Sequence, residues 1–211
     1  PAETLAPESD PLFPFFLLLF QKTEALYHEL PLRKNGEPAF IHPTNIVLAL
    51  REAGITDLIT LCAGLIHDYV EEQVDLYKEK YEIKIEGEGI ALLDTYEQVL
   101  HTTLEKDLEV FCQEQNLPLS AVREIGAITR LLTRQKRDFY YQSICNIFHC
   151  TLPALKEKAI QIKLADRMHN ILSVENFSEQ ERIYACFKNL FIVNSTKKYL
   201  AEKLGDRLFG K

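Results

Sequence analysis

Three features of the sequence predict an all-α fold. Glycine and proline are sparse, at 8 and 9 of 211 residues. Most segments between them carry apolar residues at helical spacing, as Ile125, Ile128, Leu131 and Leu132 do. No repeat or low-complexity tract interrupts this pattern. The chain is long enough to bury a core, and we expect a single domain over residues 1–211.

The apolar periodicity predicts eight helices, near residues 12–30, 43–53, 56–74, 90–116, 119–134, 137–149, 153–172 and 178–204. The first begins in the run PLFPFFLLLF at 11–20, which follows acidic residues and is too short to span a membrane. We interpret this run as the start of a buried helix, and a cleaved signal is the alternative.

Local signals mark several ends of these elements. Asp57 (or Thr56), Ser120, and Ser178 with Glu179 are predicted to cap helix N-termini through their side-chain oxygens. In the stretch YEIKIEGEG at 81–89, apolar and charged residues alternate, which predicts a short strand.

Composition limits the classes of partner. The chain has 31 acidic and 24 basic residues, which disfavours a nucleic-acid backbone as the main partner. Five cysteines without a CxxC pair favour neither a disulfide framework nor a structural zinc site. These features predict a cytoplasmic protein that binds neither nucleic acid nor membrane.

The stretch LIHDYVEEQ at 65–73 crowds a histidine and three carboxylates together after an apolar run. On a continuous helix His67 and Glu71 share one face, and Asp68 and Glu72 share the neighbouring stripe. Burying so many acids requires a positive partner, and a divalent cation would serve.

Two further candidate ligands lie far from this stretch in the sequence. His42 stands in FIHPTN before a proline suited to the first turn of a helix, and Asp166 follows the apolar run IQIKLA. Together with His67 and Asp68 they form a mixed nitrogen and oxygen set that suits Mn²⁺ or a similar first-row ion.

The stretches LRKNGEPAFIHP, LIHDYVEE, LLTRQKRDFYYQSI and IQIKLADRMHN occur in this order. In this combination the chain resembles the HD-domain hydrolases of the RelA/SpoT-homologue group, which remove the 3′-pyrophosphate from the alarmone (p)ppGpp in the stringent response. The resemblance covers roughly residues 15 to 205. It implies an HD-domain helical fold and one bound Mn²⁺ ion.

The resemblance also implies roles for particular residues. His42, His67, Asp68 and Asp166 would ligate the metal, and Glu71 and Glu72 would be the acid/base pair. The guanine nucleotide would contact two groups of residues. These are Arg33, Lys34 and Asn35 in the predicted loop LPLRKNGEPAF at 30–40, and Asn170 and Ser173 further along the chain.

The chain departs from the family pattern in three places. Glu72 stands where the family has aspartate, and Ser173 stands where threonine is usual. The segment between the HD motif and LLTR is also longer than the family needs, which predicts a mostly helical insertion at about 76–118. Whether this insertion acts as a lid, acts as an oligomer contact or has no separate function stays open.

Alternative interpretations accompany this hypothesis. Taken singly, His42 or His67 is better explained as a core or capping histidine, and Arg33 or Lys34 as a loop charge. The whole chain could also hydrolyse another nucleotide, such as the 2′-phosphate of NADPH, or act as a silent nucleotide sensor or helical interaction module. No segment after residue 211 is present to carry a synthetase domain, so hydrolase-only activity is expected unless the sequence is a fragment. The oligomeric state is left undetermined.

Overall fold

A computed structural model describes residues 2–209 of the chain and confirms the all-α prediction. Within that range every regular element is helical. The α-helices are α1 (Ala2–Leu5), α2 (Phe13–Tyr27), α3 (Ile41–Glu52), α4 (Leu58–Leu65), α5 (Tyr69–Lys80), α6 (Glu88–Gln115), α7 (Leu119–Leu132), α8 (Tyr140–His149), α9 (Pro153–Leu172) and α10 (Glu179–Phe209). A 3₁₀ turn at Val174–Asn176 joins the last two.

Helix α4 lies at the centre of the fold because almost all of its residues are apolar. It packs against α2, α3, α7 and α9, and α3 and α9 also pack against each other. Gly64 permits this close packing, since a Cβ atom there would lie 2.8 Å from Leu50 Cδ1. Around this centre, α5 packs on α6, α6 on α7, and α10 on α8 and α9.

The apolar run near the N-terminus folds as a buried helix, as predicted. Phe15, Phe16 and Leu19 of α2 are fully buried in the core. Among the residues that the structure describes, no helix combines the length and the apolar character needed to cross a membrane.

The helix predicted at 56–74 is wrong as a single element, because it breaks into α4 and α5 at residues 66–68. The imidazole of His67 explains the break. Its Nδ1 lies 2.8 Å from the carbonyl oxygen of Gly64 and competes for that acceptor with the backbone of a continuing helix. His67 and Asp68 therefore lie in the turn before α5 rather than on a helical face.

The predicted strand at 81–89 is also wrong. Residues 81–87 form an irregular loop, and Glu82 and Gly87 both adopt the left-handed backbone region, each with φ of 50°. That conformation is incompatible with an extended strand.

Of the three predicted helix caps, two are confirmed. Asp57 accepts a hydrogen bond from Thr60 N at the start of α4. Ser178 Oγ accepts from Glu181 N, and the Glu181 carboxylate accepts from Ser178 N in return. The cap at Ser120 is wrong, because α7 begins one residue earlier, behind Pro118, whose fixed φ suits a helix start.

The region predicted to be an insertion, 76–118, holds the end of α5, the irregular loop and all of α6. Helix α6 is part of the core, since Leu93, Leu104, Leu108 and Cys112 are buried against α5 and α7. That this region is additional to the HD fold stays a prediction.

The Asp57 cap supplies a stability prediction. Burial opposes ionisation of Asp57, but hydrogen bonds from Lys158 and Thr60 outweigh it and lower its pKa. Replacing Asp57 by alanine should reduce the free energy of unfolding by about 1 kcal/mol at neutral pH. Because the pKa is lower in the folded state, this contribution is present above about pH 4 and disappears as the pH falls further.

Urea denaturation of wild type, Asp57→Ala and the control Glu114→Ala, which changes an exposed acid on α6, checks this expectation. A deficit for Asp57→Ala no larger than that of the control would contradict it, and so would a deficit that persists in acid.

Candidate active site

The turn between α4 and α5 places His67 in the interior of the protein. Its side chain is 0% exposed, and Nδ1 donates a hydrogen bond to the Gly64 carbonyl. A neutral imidazole with its proton on Nδ1 presents a lone pair at Nε2. The local fold thus fixes the ring with Nε2 facing the predicted ligands.

Three of the four predicted metal ligands, His42, His67 and Asp166, bring one donor atom each within 4.8 Å of the others, and all three are buried. They come from the first turn of α3, the α4–α5 turn and the middle of α9. The fourth, Asp68, is adjacent, with Oδ2 3.0 Å from His67 Nε2 and 3.7 Å from His42 Nε2.

The donor set fits a divalent cation. His67 Nε2 is buried and has no hydrogen-bond partner among the described residues, although a carboxylate oxygen of Asp68 lies close by. An imidazole lone pair and a carboxylate oxygen this close repel each other unless a proton or a metal cation lies between them. Two imidazoles and two carboxylates provide the ligand atoms that first-row divalent ions prefer.

Asp166 is held as a carboxylate by positive groups of its own helix. Lys163 Nζ lies 2.9 Å from Asp166 Oδ2, and Arg167 Nη2 lies 3.0 Å from the same atom. Burial raises the pKa of Asp166, but Lys163 and Arg167 outweigh it and hold the pKa well below its usual range. Asn170 Nδ2 donates to Asp166 Oδ1 at 2.5 Å. Arg167 therefore holds the Asp166 carboxylate in place.

The two adjacent glutamates of α5 have different surroundings. Glu71 Oε1 lies 3.0 Å from Arg134 Nη2 and 3.5 Å from Lys136 Nζ. The carboxylate of Glu72 has no ion pair or hydrogen bond among the described residues. Burial, with the nearby charges of Asp68, Asp75 and Glu71, raises the pKa of Glu72 to about 7. The structure thus holds the carboxylate of Glu71 by ion pairing and leaves that of Glu72 without a charged partner within hydrogen-bonding distance among the described residues.

These groups open onto a charged pocket of about 280 Å³ that is lined by both acidic and basic side chains. The acidic ones include Asp68, Glu71, Glu72 and Asp75, and the basic ones include Arg134, Arg167 and Lys188. Lys188 makes no ion pair within the described part of the chain, and its Nζ lies 4.9 Å from the centre of the Tyr140 ring. Burial, together with Arg167, Arg134 and Lys163, lowers the pKa of Lys188. The basic side chains are suited to bind anionic oxygens.

The predicted nucleotide-binding residues divide between two adjoining pockets. Arg33 and Asn170 line the charged pocket, where Arg33 Nη2 donates to Asn170 Oδ1 at 3.4 Å. A neighbouring pocket of about 300 Å³ is lined by Leu32, Arg33, Lys34, Asn35, Ser173 and Phe177. Apolar and polar side chains line this second pocket, here called the slot, together, as they do in many small-molecule sites.

Lys34 already has partners in this slot. Its ammonium pairs with Glu181, and it lies 4.9 Å from the centre of the Phe177 ring. Asn35 donates to Glu37, and Ser173 Oγ donates to the Asn170 carbonyl.

Sequence reasoning missed several residues that the fold brings to the site. His169 contacts His42, Lys163 neutralises Asp166, Lys188 reaches the charged pocket from α10, and Phe177 lines the slot. Helical spacing could have found Lys163 and His169, which lie three residues either side of Asp166 on α9. No local signal marks Lys188, which α10 carries to the pocket from a distant part of the sequence.

The helical fold and the buried histidine and aspartate cluster are consistent with an HD-domain helical fold. Comparisons with known proteins agree. The chain is 30% identical over 160 residues to a probable guanosine-3′,5′-bis(diphosphate) 3′-pyrophosphohydrolase of Mycoplasma pneumoniae, covering 75% of this chain and 18% of the relative. It is 28% identical over 150 residues to the enzyme of that name from Aquifex aeolicus, covering 71% of this chain and 16% of the relative.

A third relative is the bifunctional (p)ppGpp synthase/hydrolase SpoT of Escherichia coli, 24% identical over 178 residues, which covers 84% of this chain and 20% of SpoT. The chain thus spans about a fifth or less of the length of these relatives. No protein-family model matches the chain, and no solved structure does. The predicted resemblance is confirmed: the chain is related to one segment of the (p)ppGpp 3′-pyrophosphohydrolases.

Proposed function

We propose that the chain hydrolyses the 3′-pyrophosphate of (p)ppGpp in a reaction that depends on one Mn²⁺ ion. Water would convert ppGpp to GDP and pppGpp to GTP, with release of pyrophosphate. The observation that carries the proposal is the buried His67 Nε2, which has no hydrogen-bond partner among the described residues, within a histidine and aspartate cluster beside a pocket lined by acidic and basic side chains. The names of the relatives supply the substrate.

His42, His67, Asp68 and Asp166 would hold the cation. When bound, the cation supplies Lewis acidity to water and to a phosphoryl oxygen. Lys163 and Arg167 keep Asp166 ionised and fix its orientation, so that little reorganisation accompanies binding. The cluster is buried among α3, α4 and α9, which limits the movement of its ligands.

The two glutamates would divide the proton chemistry. Glu71, held by Arg134 and Lys136, orients the attacking water and accepts its proton. Glu72 has no charged partner to hold it in one protonation state, so it supplies a proton to the departing oxygen. Its carboxylate extends one methylene further than the aspartate of the family pattern.

The basic side chains of the charged pocket would receive the phosphates, and the slot would receive the nucleoside. Arg134, Arg167 and Lys188 line the same pocket as the acidic side chains, which alone would repel the anionic oxygens of the substrate. Arg33 can stack on a purine, and Asn170 can hydrogen-bond to the nucleoside. Lys34, Asn35 and Ser173 would complete the nucleotide contacts from the adjoining slot.

A nucleotide assay tests the proposal. The purified chain is incubated with ppGpp and Mn²⁺, and products are resolved by anion-exchange chromatography. We expect equal amounts of GDP and pyrophosphate, and loss of turnover after chelation. NADPH in a parallel reaction, with orthophosphate as the product measured, tests the alternative substrate. Tight binding of ppGpp without turnover would favour a nucleotide sensor, and no product with any divalent ion would refute the hydrolase.

We also place this activity in the cytoplasm. The support is chemical: all five cysteines are free thiols in the structure, as expected in a reducing compartment.

A further inference from the structure

Two successive side-chain contacts link the imidazole of the proposed ligand His42 to His169 on α9 and then to Asn45 on α3. His42 Nδ1 lies 2.9 Å from His169 Nδ1. His169 Nε2 in turn lies 3.0 Å from the side-chain nitrogen of Asn45. His42 and Asn45 are three residues apart on α3, so His169 of α9 bridges two side chains of one helix face.

Each of these two hydrogen-bonded contacts needs one proton between its two atoms. Two imidazole nitrogens 2.9 Å apart repel if both present lone pairs and clash if both carry protons, so one donates to the other. A neutral imidazole has a single ring proton. The proton position on His42 therefore fixes the proton position on His169, and that in turn fixes which end of the Asn45 amide must face His169.

Two arrangements satisfy these rules. In the first, the Asn45 amide donates to His169 Nε2, His169 Nδ1 donates to His42, and His42 carries its own proton on Nε2. That proton would point at Asp68 Oδ2 and Asp166 Oδ1, at 3.7 and 3.6 Å, which is too long for good hydrogen bonds.

In the second arrangement each of the two imidazoles carries its ring proton on its other nitrogen. The Asn45 amide is rotated by half a turn and presents its oxygen to His169 Nε2–H, and His42 Nδ1–H donates to His169. His42 Nε2 then presents a lone pair toward Asp166 and Asp68. The oxygen and nitrogen of an amide have nearly the same shape, so the rotation requires no repacking.

We infer that Asn45 and His169 are positioning residues that set the tautomer of His42 and thereby the affinity of the site for a divalent cation. Only the second arrangement leaves His42 Nε2 free to bind a cation, so binding selects the Asn45 rotamer that accepts a hydrogen bond. The inference rests on the proposed role of His42 as a ligand. It extends the metal site to an uncharged amide two contacts away from the ligand His42.

Calorimetric titration with Mn²⁺ alone tests the inference apart from turnover. Asn45→Leu removes the acceptor and should weaken Mn²⁺ binding by about tenfold or more. Asn45→Asp offers only acceptors and should bind at least as tightly as wild type. Asn194→Leu, which makes the same change at an exposed position of α10, is the matched control and should bind as wild type does.

Nitrogen-15 NMR of the histidine rings in wild type, loaded with diamagnetic Zn²⁺, provides a readout that a structural role would not produce. We expect His169 to carry its proton on Nε2 and His42 on Nδ1. A proton on His169 Nδ1 in the loaded protein would overturn the inference, as would an Asn45→Leu variant within twofold of wild-type Mn²⁺ affinity. Failure of wild type to bind Mn²⁺ would instead refute the proposed metal site.

Discussion

Replacing His67 by alanine is expected to abolish tight binding of Mn²⁺ and hydrolysis of ppGpp together. The ring is fully buried, with Nδ1 engaged by the Gly64 carbonyl and Nε2 directed at Asp68. Removing one of four protein ligands from such a site should weaken cation binding by roughly two orders of magnitude or more. Calorimetry with Mn²⁺ and the nucleotide assay, run on the same preparation, measure both losses.

The controls for this experiment separate ligand loss from unfolding. Asp68→Asn keeps the size of the side chain at a partly exposed position and should lose the cation in the same way. His149→Ala removes an exposed histidine on α8 and should change neither quantity. Circular dichroism establishes that each variant is folded. A folded His67→Ala or Asp68→Asn protein that binds Mn²⁺ with wild-type affinity would exclude that residue as a ligand.

The fold class could be predicted because apolar spacing determines helices wherever local side-chain and backbone interactions do not interrupt them. At residues 66–68 the side chain of His67 hydrogen-bonds to the Gly64 carbonyl and breaks a helix that the apolar pattern continues. At Glu82 a residue with left-handed backbone conformation converts an alternating pattern into a loop. No proline at residues 66–68 signals the helix break, and no glycine or asparagine at residue 82 signals the left-handed backbone conformation.

For the site, sequence reasoning proposed His42, His67, Asp68 and Asp166 from motifs, and the fold brings these four side chains together. It could not anticipate the balance of charge around them. Lys163 is buried beside Asp166, and Lys188 comes from a helix whose position depends on packing over the whole domain. The difference between Glu71 and Glu72 likewise depends on Arg134 and Lys136, far away in sequence.

Replacing Glu71 by glutamine is expected to separate proton chemistry from metal binding. Glutamine keeps the shape of the side chain and can still accept a hydrogen bond from Arg134, but it cannot take up a proton. Turnover of ppGpp should therefore fall by about a hundredfold, while Mn²⁺ affinity stays within a few-fold of wild type. Glu79→Gln, the same change at an exposed position on the same helix, is the control and should leave both quantities unchanged.

The pattern of loss distinguishes the possible roles of Glu71. A fall in turnover together with a loss of Mn²⁺ would make Glu71 a ligand, and a rise in the KM for ppGpp at constant kcat would make it a substrate contact. Hydrolysis at the wild-type rate would refute its assigned role. Only a fall in kcat with the cation retained fits a carboxylate that Arg134 and Lys136 hold in place to receive the proton of the attacking water.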